Sequence, residues 1–190
     1  MSFAELEGRM TAEDYLAWEA RQPIRHEFVN GVVFAMVGAS RAHARIVLNI
    51  AKILDDRLKP PCAVYATEVK VRVEAANAYY YPDVVATCDP ADADPYMLLA
   101  PILMVEVLSP TTELIDRRAK KANYLKIPSL AAFVLVAQDT RFAEVYRRAG
   151  DLWAYQPFTN SGQIDLPPGV HLWLDEIYDR VPEAAYIEQD

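Results

Sequence analysis

The sequence predicts an α/β fold in one domain spanning residues 1–190, and three observations carry that expectation. Two stretches, "SRAHARIVLNIAKILDDRLKP" and "TTELIDRRAKKANYLKI", place apolar residues at helical spacing. Two others, "ILMVEVLS" and "AAFVLVAQ", are almost continuously apolar over strand length, the pattern of strands buried on both faces. Helices and strands are interspersed along the chain, with no internal repeat, low-complexity tract or linker.

Bulk properties set limits on function. At 190 residues, 53% hydrophobic and 24% charged, the chain can bury a sizeable core. No run of about eighteen apolar residues exists, so no membrane span or membrane partner is expected. "MSFAELEGRM" carries acids where a signal peptide needs bases, which points to the cytoplasm. Cys62 and Cys88 are too few for a disulfide scaffold and are expected to be reduced. Neither sits in a Cys/His set of zinc-site spacing. A net charge of -8 argues against a nucleic-acid binder that relies on bulk positive charge. It leaves room for an enzyme with a local basic rim around an acidic metal site.

In order along the chain, "TAEDYLAWEA" opens a helix capped by Thr11, with Asp14 three residues on and Leu16 and Trp18 packing inward. "RHEFVNGVVFAM" is a hairpin about an Asn30-Gly31 type I′ turn. The first long helix is capped by Ser40, buries Ile46, Ile50, Ile53 and Leu54, and ends at Pro60-Pro61. "CAVYATEVKVRVE" alternates as one strand, with Glu68, Lys70 and Arg72 on one side. "YYYPDVVATCDP" leads into another strand, "DPADADPYMLLAP" is a loop, and "ILMVEVLS" is a central strand. The second long helix ends near Pro128. "AAFVLVAQ" and "RFAEVYRR" form a hairpin, followed by short strands and a closing helix.

Two carboxylates stand out. Asp83 lies at the mouth of an apolar strand, where Pro-Asp is also a common turn. Glu106 lies inside a central strand, where an acid must be paired, protonated or metal-bound; bridging to an arginine is the structural alternative. The short connection makes their strands neighbours, so the two acids converge on one point. A divalent cation relieves their repulsion, and hard oxygen donors favour Mg2+ or Mn2+. Such an ion activates a bound water and stabilises charge on a phosphate.

"YYPDVV", "EVLSPTT", "DRRAKKANYLKIPSLAAFVLV" and "HEFVNGVVFAM", in that family's order, resemble the Uma family of restriction endonucleases within the PD-(D/E)xK nuclease superfamily, from about Thr11 to Val181. The resemblance implies a restriction-endonuclease-like core, with a central mixed β-sheet flanked by helices and an added N-terminal β-hairpin. It implies metal-dependent hydrolysis of DNA, with Asp83 and Glu106 as metal ligands and Lys120 as the catalytic lysine, moved onto the helix because Leu108 holds the usual position. It adds Glu27, His43 and Glu68 as accessory residues, Glu68 standing where the family usually has Asp. The chain departs from the family at Ala132-Phe133, where a Glu-Tyr pair is usual.

Register with the family favours Lys120, whereas helical phase favours Lys121, because Leu114, Ile115, Ala119, Ala122 and Leu125 form the apolar face at roughly 100° per residue. His43 is more often a satisfied helix histidine than a catalytic one, and Glu27 also reads as a cap or a partner of Arg25. Arg117, Arg118, Lys121 and Lys126 are surface charge and the local candidates for phosphate contacts. The leading function is a Mg2+-dependent endodeoxyribonuclease. The rival is a catalytically silent scaffold of the same fold acting through dimerisation or protein binding, and a homodimer fits either. A two-carboxylate sugar hydrolase is a weaker third reading, since it has no role for the relocated lysine.

Overall fold

The computed structural model describes residues 9–36, 38–109 and 116–182. α1 (Ala12–Glu19) is followed by the hairpin β1 (His26–Val29) and β2 (Val32–Ala35), then α2 (Arg41–Arg57). Six strands come next: β3 (Ala63–Ala66), β4 (Lys70–Val73), β5 (Ala78–Tyr80), β6 (Val84–Thr87), β7 (Met97–Leu98) and β8 (Pro101–Leu108). A π-helical turn (Asp116–Lys120) continues into α3 (Lys121–Tyr124). β9 (Ala132–Ala137), β10 (Phe142–Ala149), β11 (Leu152–Thr159), β12 (Gln163–Leu166), β13 (Val170–Trp173) and α4 (Leu174–Ile177) complete the order.

The main sheet is mixed and six-stranded, in the order β11-β10-β9-β8-β6-β3, with β8 and β9 parallel. A second, five-stranded sheet runs β2-β1-β5-β4-β7. The β1–β2 hairpin forms the edge of this second sheet, joined through β1–β5. Its turn has Asn30 at φ 46 and Gly31 at φ 95, the two positive values a type I′ turn demands, and Val29 faces Val32.

The single strand expected over "CAVYATEVKVRVE" is two. Thr67, at φ 60, turns the chain, so β3 joins the main sheet and β4 the second. The return path has the same break: β5 lies in the second sheet and β6 in the main one, with Pro82-Asp83 between them. Thr67 N–H donates to the Asp83 carbonyl at 3.1 Å and ties the two crossings together. Residue alternation cannot reveal such a break, because both halves are individually good strands.

One face of the main sheet packs on α2. Ile46, Ile50 and Leu54 are fully buried against Val84, Leu103, Val105 and Val107, each side chain contributing about 1.5–3 kcal/mol by burial. Ile53 is only half-buried. The opposite face packs Val85, Met104, Leu108, Phe133 and Leu135 against Tyr80 and Tyr124. Glu106 falls between Met104 and Leu108 and therefore shares this second face. In α1 the buried anchor is Tyr15, stacked on Phe28, while Leu16 and Trp18 are half-buried. Thr11 accepts the Asp14 N–H at 3.1 Å, and Ser40 accepts the His43 N–H at 3.1 Å.

Two further expectations are corrected. Cys62 and Cys88 are paired in a disulfide rather than reduced. The β3–β6 register sets Ala63 against Thr87, and one step further it sets the cysteines opposite each other. Over its described part the second helix is a π-turn plus one α-turn, not a regular α-helix; "TTELI" lies outside the described residues. Ala119 and Ala122, expected on a buried face, are exposed. No helix among the described residues is long and apolar enough to cross a membrane.

Candidate active site

Asp83 occupies the crossing from one sheet to the other. The β6–β8 register pairs Val84 with Val105, so one step beyond the strand end Asp83 comes across from Glu106, and both line one cavity. Asp83 Oδ2 accepts the Val107 N–H at 2.7 Å and lies 3.3 Å from His43 Nε2. His43 is presented by the first turn of α2, which Ser40 caps. Its Nδ1 is buried with no hydrogen-bond partner among the described residues.

The lysine comes from the π-turn. Lys120 Nζ lies 2.8 Å from Glu27 Oε1, 3.3 Å from Glu106 Oε1 and 3.3 Å from Asp116 Oδ1. Tyr124 donates to Glu106 Oε1 at 2.7 Å, and Tyr81 N–H donates to Glu27 Oε1 at 3.4 Å. Asp116, Lys120 and Tyr124 are all buried and recur every fourth residue, so one side of the segment is a polar stripe facing Glu106. Helical phase chose the wrong face because it assumed that the buried side is apolar. Lys121 turns away: its Nζ is 3.4 Å from Tyr146 Oη and 5.0 Å from that ring's centroid.

Electrostatics follow from burial. Desolvation pushes the Glu106 carboxyl well above its ordinary range; Lys120 opposes this, while Asp116, Asp83 and Glu27 add to it. Glu27 is raised by the same burial, again opposed by Lys120. Desolvation alone would lower Lys120, but Glu106, Glu27 and Asp116 outweigh it and hold the ammonium well above the usual lysine value. Lys120 is therefore a fixed cation, not a base.

These groups line one cavity of about 900 Å³, which includes Glu27, His43, Asp83, Glu106, Asp116 and Lys120. Glu68 lies at its wall on the β3–β4 connection, with a largely exposed side chain paired to Arg25 at 3.1 Å. Glu27 thus pairs with Lys120 and not with Arg25. Among the described residues no three His, Cys, Asp or Glu side chains gather as a metal-holding group. Arg117 is not free surface charge, since it pairs with the buried Glu144.

Sequence reasoning gave no role to three contributors. Asp116 and Tyr124 complete the cluster, and their spacing about Lys120 in "DRRAKKANY" was the available signal. Glu19 was invisible: buried on α1, it accepts the His26 N–H at 2.9 Å and the Tyr81 hydroxyl at 3.0 Å, bracing the strand that carries Glu27. Its only hint was an acid four residues from the core Tyr15.

A family model described as "Uma2: Putative restriction endonuclease" matches residues 12–176. "Uncharacterized protein slr1290" of Synechocystis sp. is 32% identical over 174 residues, covering 90% of this chain and 92% of its own. "Uncharacterized protein sll1609" of the same organism is 27% identical over 146 residues, covering 75% and 82%. The crystal structure of a "putative nuclease belonging to DUF820" from Anabaena variabilis superposes with a TM-score of 0.75 at 16% identity, over 91% of this chain and 99% of that one. At that identity the likeness is one of fold.

Proposed function

Because the chain belongs to the Uma2 family of restriction-endonuclease-like nucleases, we propose that it is a metal-dependent endonuclease hydrolysing DNA phosphodiesters at the Asp83–Glu106–Lys120 cluster. The observation that carries this reading is the meeting of two acids from neighbouring strands with a buried lysine from a helix.

The residues fit a hard divalent cation. Three carboxylates share one ammonium, Asp83 lines the same cavity, and Asp116 Oδ1 has an ion pair but no hydrogen bond. That leaves excess negative charge on oxygen donors, which suits Mg2+ or Mn2+ held by few side chains and several waters. Asp83 and Glu106 would hold the ion, which would supply Lewis-acid stabilisation and a more acidic bound water. His43 and the Val107 N–H fix the Asp83 carboxylate. Tyr124 and Lys120 fix Glu106. Lys120, kept cationic by Glu27 and Asp116, orients the attacking water and steadies the pentavalent phosphate. The water oxygen bonds to phosphorus, the P–O3′ bond breaks, and the water's proton ends on the leaving oxygen. The products are a 5′-phosphate and a 3′-hydroxyl.

One observation favours the silent-scaffold reading: Lys120 is already satisfied by three acids. Plasmid cleavage and thermal unfolding with and without Mn2+, for the wild type and Asp83→Ala, decide between the two. The nuclease reading expects Mn2+-dependent nicking and Mn2+ stabilisation, both lost in the variant. Absence of both in the wild type would leave the scaffold.

A further inference from the structure

We propose that the cavity receives an unpaired nucleotide, so that the substrate is single-stranded DNA or a frayed or extruded segment rather than continuous duplex. This rests on the phosphodiesterase reading above and adds the substrate class.

Charge is the first argument. All 19 lysines and arginines lie within the described residues, yet only Arg25 and Lys120 line the cavity. Arg25 is paired with Glu68, and Lys120 with three buried acids. Five carboxylates, from Glu27, Glu68, Asp83, Glu106 and Asp116, share the same lining. Duplex binding rests on several Lys or Arg contacts to successive phosphates. This lining offers no such track; it suits one phosphodiester neutralised locally.

Shape and polarity are the second. The volume of about 900 Å³ lies within the size range of small-ligand sites. Beside the acid cluster, the lining includes the aliphatic side chains of Ile24 and Leu48 and the thioether of Met36. Ile24 is 52% exposed and Leu48 56% exposed, so two large aliphatic side chains in the cavity lining keep about half of their surface uncovered. Ile24 precedes β1, and Leu48 lies on α2 one helical turn beyond His43 and Ala44. An apolar wall beside a phosphodiester-cleaving cluster is what a base released from its stack can fill, against apolar side chains rather than through base pairing. A paired base stays inside the duplex and would leave that wall empty. Unpairing costs a few kcal/mol in a duplex and nothing in a single strand, which sets the direction of preference.

The test measures fluorescence anisotropy of a labelled oligothymidylate, and of the same strand annealed to its complement, in Ca2+ buffer, with wild type and Leu48→Glu. The expected result is binding of the single strand about ten-fold tighter than the duplex, a difference of about 1.4 kcal/mol, with the preference lost in Leu48→Glu. Equal or tighter duplex binding, no binding of either, or a preference untouched by Leu48→Glu overturns the inference. Hydrolysis of methyl para-nitrophenyl phosphate with Mn2+, a diester without a base, tests the parent reading separately. Hydrolysis without strand preference overturns the inference alone. Strand preference without hydrolysis supports it and overturns the enzymatic reading.

Discussion

Lys120→Met isolates the buried charge network. The lysine side chain is 9% exposed, and its three carboxylate partners are 12%, 4% and 3% exposed, so none is well solvated. Methionine keeps most of the volume and removes the cation, leaving Glu27, Glu106 and Asp116 facing one another. Removing one partner of a buried ion pair destabilises by about 3–5 kcal/mol. For a chain of this length each kcal/mol shifts Tm by about 2–4 °C, so a fall of roughly 6–20 °C is expected at neutral pH without metal. The loss should also depend on pH. Glu106 and Glu27 titrate above their ordinary range even beside Lys120, and without it they should rise further. A carboxyl raised in the folded state contributes stability that is full below the unfolded value of about 4.3 and is lost as pH climbs through the folded value. The deficit of Lys120→Met should therefore narrow toward pH ~5 and widen toward pH ~7. Thermal unfolding across that range in metal-free buffer measures it. A variant within about 1 kcal/mol of wild type at neutral pH would refute the argument, because the cluster would then be solvated rather than buried.

The same sign rule predicts that Glu106→Gln raises the Tm of the metal-free protein at neutral pH and flattens its decline with rising pH, while abolishing cleavage; a lower Tm would mark Glu106 as a structural partner of Lys120 and Tyr124. Mn2+ at about a hundred times its Kd should stabilise the wild type by about 2.7 kcal/mol and leave Asp83→Ala unmoved, read by calorimetry. Lys121→Ala should retain cleavage within about two-fold, since Lys121 rests on Tyr146; a loss comparable to that of Lys120→Met would move the proposed role of the lysine to Lys121. Thr11→Ala should cost about 1 kcal/mol by removing the cap of α1, visible as a Tm shift of about 2–4 °C.

Local signals in the chain were sufficient for the elements whose cause is local. The Asn30-Gly31 turn, the Thr11 and Ser40 caps and the apolar stripe of Ile46, Ile50 and Leu54 follow from backbone and periodicity rules that need no knowledge of neighbours. Asp83 and Glu106 stood out for a related reason: an acid among valines must be compensated, so it calls for a partner before that partner is known.

What the tertiary structure decided depends on residues far apart in sequence. The turn at Thr67 and the crossing at Asp83 divide two apparently simple strands between two sheets, and no alternation pattern records which sheet receives each half. Opposite positions on β3 and β6 bring Cys62 to Cys88, a pairing that composition and compartment arguments had set aside. The lysine depended on packing most of all. Apolar phase pointed to Lys121, but the side of the 116–124 segment that is buried faces Glu106 and Glu27, and there Asp116, Lys120 and Tyr124 satisfy one another. A hydrophobicity pattern reports which side chains avoid water on their own; it cannot report charged groups that leave water together, because their compensation comes from strands more than ninety residues away at Glu27 and next door at Glu106.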